Sequence, residues 1–286
     1  RVTGATVPAE TSRADLANMM VGREVRLAPD RPAVEVGDVR ISIKDLRVIG
    51  DRGTEAVSGL NLEARSGEIL GIAGVSGNGQ RELAEAIVGL RPAASGTIEL
   101  EGEDIGKKPP STVRAAGVSY VPEERMRDGA VGDFTVEENF ILTNHTSDEM
   151  STRGFLQFDA IHDHCAALVE EYAVKTPSLD TPAHNLSGGN IQKMILAREL
   201  SASPRVLIAA QPTRGVDIGA AEYIHSRLVE ARRTGAAIVV ISEDLDEVLA
   251  LSDRVAVMFE GEIVGIVDPA VATREEIGLM MAGVVE

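Results

Sequence analysis

Several stretches of the chain alternate apolar and polar residues, and others abandon the alternation altogether. VRISIKDLRV (Val39 to Val48), GLNLEARSGEI (Gly59 to Ile69) and GTIELEGE (Gly96 to Glu103) alternate, which predicts half-buried strands. ILGIAG (Ile69 to Gly74), RVLIAA (Arg205 to Ala210) and AAIVVIS (Ala236 to Ser242) are apolar throughout and read as short buried strands. Helical patterns follow each of these: RELAEAIVGL (Arg81 to Leu90), GAAEYIHSRLVEARRTG (Gly219 to Gly235) and DLDEVLALSD (Asp244 to Asp253). RVAVMFEGEIVGIV (Arg254 to Val267) predicts a hairpin around Glu260-Gly261. In DAIHDHCAALVEEYAV (Asp159 to Val174), Ile161, Cys165, Leu168 and Tyr172 share one helical face, so a mostly helical insertion is expected between about 135 and 185. Alternating strands and helices call for an α/β core with a mainly parallel sheet and right-handed crossovers. An antiparallel β subdomain precedes that core and a helical subdomain is inserted into it.

The two ends of the chain align on each other without a gap. PAETSRADLANMMVGRE starts at Pro8 and PAVATREEIGLMMAGVV at Pro269, pairing Pro8 with Pro269, Arg13 with Arg274, Met19 with Met280 and Gly22 with Gly283. One reading is chance likeness between two terminal helices. The other is that residues 1–25 are the tail of a preceding copy of the same domain. On that reading 26–38 are a linker holding two prolines, and 39–286 are the second domain of a tandem.

Charge and composition narrow the function classes. A net charge of −17, without a basic cluster, argues against a nucleic-acid surface. The single cysteine, Cys165, excludes an internal disulfide and fits a reducing compartment. The longest apolar runs are far short of a membrane span, and no signal peptide is read at the start, so the chain reads as soluble, acidic and intracellular. Its link to any membrane would run through another protein.

The candidate chemistry begins at GVSGNGQRELAEAIVGL (Gly74 to Leu90), where a strand, a glycine turn and a helix follow in the order a phosphate loop requires. Gly74, Gly77 and Gly79, with Asn78, can form the amide cradle at a helix N-terminus. The lysine and hydroxyl residue that should follow Gly79 are Gln80 and Arg81, and Glu82 comes next. About a hundred residues later stands LSGGNIQKMILAREL (Leu186 to Leu200), followed by VLIAAQPTRGVD (Val206 to Asp217).

That order resembles the ATP-binding cassette of ABC transporters over essentially the whole span from about 39 to 286. The resemblance implies a P-loop NTPase core of RecA-like type, with a signature motif that covers the nucleotide of a second cassette paired head to tail. The tandem arrangement and GNGQREL look like the second cassette of importers for simple sugars and nucleosides. LIAAQPTRGVDIGAAEYIHSRL and EEIGLMMAG look closest to the nucleoside branch.

By the same resemblance the chemical positions have changed. The metal-holding Asp is Ala210, the water-orienting Glu is Gln211, the loop glutamine is Glu123 in YVPEER (Tyr120 to Arg125), and the switch histidine is Glu243. Gln80 removes a cation, and Glu82, Glu123 and Glu243 place acids where phosphate oxygens would lie. Val48 to Gly59, where an adenine-stacking aromatic is expected, has none. The implied site is hydrolysis-deficient, holds no metal of its own and is weak or empty towards ATP. The signature residues Leu186, Ser187, Gly188, Gly189, Asn190 and Gln192, with Asp217 of the D-loop, would instead complete an ATP and Mg²⁺ site in the preceding cassette. Further implied partners are membrane permease subunits, contacted around Glu123 and the helical insertion, and indirectly an extracellular binding protein. The expected location is the cytoplasmic face of the membrane.

Three alternatives stand beside this reading: a non-catalytic docking or regulatory domain, a cassette outside transport, and an active ATPase working through Arg81 and Glu123. His162 and His164 are two residues apart and do not share a helical face, so they read as solvated or packed rather than as metal ligands. His225 reads as interface or surface, and the methionines at Met19 and Met280 as core.

Overall fold

The computed structural model describes Val7, Thr11, Met19 and residues 29–284. The first copy of the terminal repeat, the proposed tail at 1–25 and the start of the linker lie almost wholly outside the described residues.

Two sheets organise the domain. β1 (Val39–Ile49), β2 (Glu55–Arg65), β4 (Ser95–Leu100) and β5 (Glu103–Asp104) form an antiparallel sheet of four strands in the order β2-β1-β4-β5. β3 (Ile69–Ala73), β6 (Val118–Val121), β9 (Val206–Ala210), β10 (Ala237–Ser242), β11 (Arg254–Phe259) and β12 (Glu262–Val267) form the central sheet of six, ordered β12-β11-β3-β10-β9-β6. All its neighbours are parallel except the β11–β12 hairpin. Helices α1 (Gln80–Ile87), α2 (Pro110–Ala115), α3 (Val136–Ile141), α4 (Phe158–Glu171), α5 (Gly188–Ser201), α6 (Ile218–Arg233), α7 (Leu245–Leu251) and α8 (Arg274–Met281) surround it. This is the α/β core with an antiparallel β subdomain that the sequence predicts.

The apolar runs become strands buried on both faces, and period two assigns each side chain to a layer. Leu70, Ile72, Ile208, Val239 and Ile241 pack toward Leu83 and Ile87 of α1 and toward Ile43, Leu46 and Leu60 of the antiparallel sheet. Ile69, Leu207, Ala209, Ile238 and Val240 pack on the other side with Met194 and Ile195 of α5 and Ile224 and Leu228 of α6. Burying each such Leu or Ile contributes about 2 kcal/mol. The helical insertion hangs from this second layer through Ile161, Cys165, Leu168 and Tyr172, the face read from the sequence.

Three boundaries differ from the pattern reading. The strand expected at 59–69 is β2, Glu55–Arg65, because Val57 is wholly buried and Gly67 turns the chain with φ 71° into β3. GTIELEGE is two strands, with Glu101 and Gly102 in the left-handed turn between them (φ 49° and 88°). The insertion also holds a small hairpin, β7 (Ser151–Thr152) with β8 (Phe155–Leu156).

In the parallel part of the sheet, β6, β9, β10 and β3 all end at the same edge. Val121 pairs with Ala209, Ile241 with Ala210, and Ser242 with Ala73. Ligands of open α/β sheets bind outside that carboxyl edge.

Candidate functional site

The loops leaving these four strand ends enclose a cleft of ≈ 270 Å³. It is lined by Ser76, Gly77, Gly79, Gln80, Arg81, Glu82, Tyr120, Glu123, Ala210, Gln211, Ile241, Ser242 and Glu243. Most positions that the sequence assigns to the chain's own nucleotide site therefore converge there from distant segments. Gly79 is the N-cap of α1 with φ 101°, where a Cβ would run into the backbone of Ala56. No side chain caps the helix, so its first-turn amides are donors at the floor of the cleft.

The side chains around those amides are committed elsewhere. Gln80 is nearly buried, and its Nε2 donates to the carbonyl of Val75 at 3.1 Å within its own loop. Arg81 donates to Glu85 at 2.7 Å and lies 3.5 Å from Asp51. Arg91 closes the ring, at 2.7 Å from Asp51 and 2.8 Å from Glu85. The Arg91 hydrogen bond and charge hold the Asp51 carboxyl below its ordinary value. Glu123 pairs with the guanidinium of Arg214, so its charge is offset by a cation that the sequence reading did not foresee. Among the described residues Glu243 has no such partner; its main-chain N–H donates to Gln211 Oε1 at 3.4 Å. Gln211 itself adopts φ 49° and is held by a main-chain bond from its N–H to Ile241 O at 2.7 Å.

Two loop residues expected at the nucleotide lie outside the cleft lining. Gly74 sits beneath, in contact range of the Gln80 amide. Asn78 turns away: its Oδ1 accepts from the Glu260 N–H and its carbonyl from the Gly261 N–H, both at 3.1 Å, tying the loop to the β11–β12 turn. Tyr120, conversely, was not foreseen. Burial, then the nearby carboxylates of Glu85 and Asp128, push its hydroxyl far above the ordinary value, so it stays a neutral donor in the cleft. Its signal was an aromatic next to the end of a short strand, in YVPEER.

The signature stands elsewhere. Residues 186–192 contribute nothing to the cleft lining. Ser187 is the exposed N-cap of α5 and its side chain bonds none of the helix amides. Instead Ser187 Oγ accepts from Asn190 Nδ2 at 2.9 Å, while Asn190 Oδ1 takes the Lys175 N–H at 2.9 Å. Leu186 and Gly189 are buried, and so is Gln192, on the inward side of α5. Five residues at 100° each carry Gln192 about 140° round the helix from Ser187, which turns its side chain inward. Asp217 caps α6 through an Oδ1 bond to the Ala220 N–H at 2.9 Å and lies beside Gly189.

Behind the cleft lies a buried polar group. Glu247 of α7 accepts from Thr213 and from His225 of α6. His225 is 7 % exposed, which corrects its reading as a surface residue. Among the described residues no group of three or more His, Cys, Asp or Glu side chains is arranged to hold a metal; His162 pairs with Glu137 at 3.0 Å. No helix among them is long and apolar enough to cross a membrane.

A parallel sheet with a glycine loop and uncapped helix at its carboxyl edge, and a second glycine-led helix on a separate surface, defines a P-loop NTPase of the ATP-binding cassette type. The profile described as ABC transporter matches residues 57–214, and the chain belongs to the ABC transporter family. It is 46 % identical to the "Nucleoside import ATP-binding protein NupA" of Lactococcus lactis subsp. cremoris over 94 % of this chain and 53 % of that protein. It is 45 % identical to the "Glucose import ATP-binding protein TsgD13" of Haloferax volcanii over 98 % of this chain and 51 % of that one. The "Guanosine import ATP-binding protein NupO" of Bacillus subtilis follows at 43 %, over 96 % and 54 %. The chain thus spans about half the length of the curated relatives it matches. Among solved structures, a nucleotide-free ATP-binding cassette from an ABC transporter superposes with a TM-score of 0.67 at 22 % identity, over 86 % of this chain and 96 % of that one. The dimeric post-hydrolysis cassette MJ0796, bound to ADP and Pi, gives 0.68 at 19 %, over 80 % and 98 %. These two share the fold.

Proposed function

We propose that this domain is one of two cassettes of an ABC importer for nucleosides, and that its own cleft does not turn over ATP. Its signature end completes the ATP and Mg²⁺ site of the companion cassette. The observation that carries the reading is the exposed, side-chain-uncapped start of α5 at Ser187, on a surface apart from the chain's own cleft. Helix amides and a positive dipole end there suit a phosphate held by another domain.

The cleft's donor set does not fit a magnesium triphosphate. Ala210 brings no metal oxygen and Arg81 no hydroxyl. The Gln80 amide is bonded to its own loop, and three carboxylates line the walls beside one guanidinium already paired. A like-charge pair at 4 Å costs about 4 kcal/mol at an effective dielectric near 20. Glu82 and Glu243 alone therefore offset much of what the loop amides supply. Two further points support a tandem: the relatives are about twice as long as this chain, and its first residues repeat its last. On this reading residues 1–25 end the first cassette, 26–38 link the two, and 39–286 form the second. The assembly sits at the cytoplasmic face, bound to permease subunits that receive substrate from an extracellular binding protein.

The test is Ser187→Arg in the full-length two-cassette polypeptide. ATPase activity and uptake both fall about 100-fold or more, the scale of removing phosphate-stabilising donors. Wild-type rates for both overturn the reading. A sugar importer is the second reading, favoured by the 45 % identity to the glucose protein over nearly the whole chain. Uptake of labelled guanosine against labelled glucose by the assembled transporter separates the two.

A further inference from the structure

Glu123 and Arg125 grip one loop from two sides. The Glu123 carboxylate takes the side chain of Arg214, with Glu124 3.8 Å away on the same guanidinium. The Arg125 guanidinium takes the main chain of the same loop: Nη1 donates to Arg214 O at 2.9 Å and Nη2 to Gly215 O at 3.0 Å. Two glycines from separate motifs make room for it. A Cβ on Gly188 would lie 3.0 Å from Arg125 Nη2, and one on Gly215, whose φ is 63°, would lie 3.2 Å from it. Gly188 is the first residue of α5; Gly215 is two residues before Asp217, the cap of α6 that lies beside Gly189.

We infer that Glu123 and Arg125 are positioning residues of the signature end: together they hold the 214–217 loop against the start of α5, so that Ser187, Gly188 and Asp217 present one rigid surface. This rests on the reading that the surface serves a companion cassette's ATP. It also assigns Glu123 a task different from a carboxylate facing phosphate in its own cleft. The planar fork of arginine is what the geometry demands. Two parallel donors meet two consecutive carbonyls, which an ammonium cannot match.

A misplacement of about 1 Å at a phosphate-contacting surface slows catalysis about 100-fold while ground-state binding survives. The readout is therefore the split between kcat and KM for MgATP in the full-length two-cassette polypeptide with its permease, beside Ser187→Arg. Arg125→Lys and Glu123→Arg are expected to lower kcat about tenfold or more, with KM within about twofold. The double reversal Glu123→Arg with Arg214→Glu recovers most of kcat, which loss of general stability would not do. Gly188→Ala supplies an independent variant should a reversal fail to fold, and lowers kcat in the same way. Wild-type kcat in Arg125→Lys and Gly188→Ala, with Ser187→Arg inactive, overturns the positioning role and leaves the signature reading standing. A double reversal no better than the single ones also overturns it. An active Ser187→Arg overturns both.

Discussion

His225 and Glu247 meet at 2.8 Å in the interior behind the cleft, where the same carboxylate oxygen also accepts from Thr213 at 2.5 Å. An ionised carboxylate only accepts, so His225 Nε2 carries the hydrogen, while Nδ1 is buried with no partner. The pair joins α6, α7 and the turn after β9, the three pieces that frame Gln211 and Glu243. Removing one member strands the other in low dielectric. Glu247→Ala is expected to lower the unfolding free energy by about 3 kcal/mol in urea titrations. A change below the error of extrapolation would show the network to be idle.

The same carboxylate sets an acid limb. Burial pushes its pKa up, yet hydrogen bonds from His225, Ser242 and Thr213 together outweigh burial and hold it below the ordinary glutamate value. Its contribution is then complete above the unfolded value of about 4.3 and is lost as pH falls through the lower folded value. Stability measured between pH 7 and pH 3 should decline more steeply in the native chain than in Glu247→Gln. Parallel curves would contradict this.

Asn78 is predicted to act on the hairpin rather than the cleft. It fastens the turn in which Glu260 has φ 45° and Gly261 φ 86°. Asn78→Ala should cost about 1 kcal/mol, and Glu260→Gly should recover part of it by removing a left-handed non-glycine residue. Equilibrium unfolding of the two single variants and the double variant decides the point.

How much of this was legible in the residues alone follows from the range of each interaction. Strands buried on both faces announce themselves, as ILGIAG and AIVVIS do, because every position obeys the same constraint. The helical face of Ile161, Cys165, Leu168 and Tyr172 is a local periodicity and was readable too. Motif order brought Gln80, Ala210, Gln211 and Glu243 to one edge, since parallel strands with crossovers must end together. What stayed hidden is tertiary and polar. Nothing near Glu123 predicts that Arg214, 91 residues later, neutralises it. Nothing in EYIHSRL says that its histidine points inward to a glutamate on another helix. The burial of Gln192 is hidden for the opposite reason: the motif groups it with the exposed Ser187, while helical geometry turns it inward.

Cys165 gives a clean report on the insertion. Burial, with a smaller effect of Glu137, pushes its thiol up to about 12, so almost no thiolate exists at neutral pH. Its Sγ donates to the Glu137 carbonyl at 3.8 Å. Ellman's reagent at pH 8 should react with it only as fast as α3 and α4 separate, and at full speed in denaturant. Immediate reaction in buffer would mean that this helical pair opens freely.

The reading of the cleft itself is tested by giving back its cation. The Gln80 amide is neutral and tied to Val75 by one hydrogen bond, so the loop has amide donors and no mobile charge. MgATP titrated into this chain by calorimetry should show no saturation below about 1 mM, the affinity left when roughly 4 kcal/mol is all that remains. Gln80→Lys should tighten binding about tenfold, one ammonium–phosphate contact in a partly wet site. That gain shrinks at high salt because the cleft is open to screening. Hydrolysis should stay at background in the variant, since neither Ala210 nor Gln211 can hold the metal or take up a proton. Adding Ala210→Asp and Gln211→Glu to Gln80→Lys is the informative comparison, because turnover that emerges only in the triple variant would locate the lost chemistry in those three side chains. Micromolar binding with turnover in the unaltered chain would instead mean that Arg81 and Glu123 leave their partners to do the work, and the cleft would have to be assigned an ATPase role of its own.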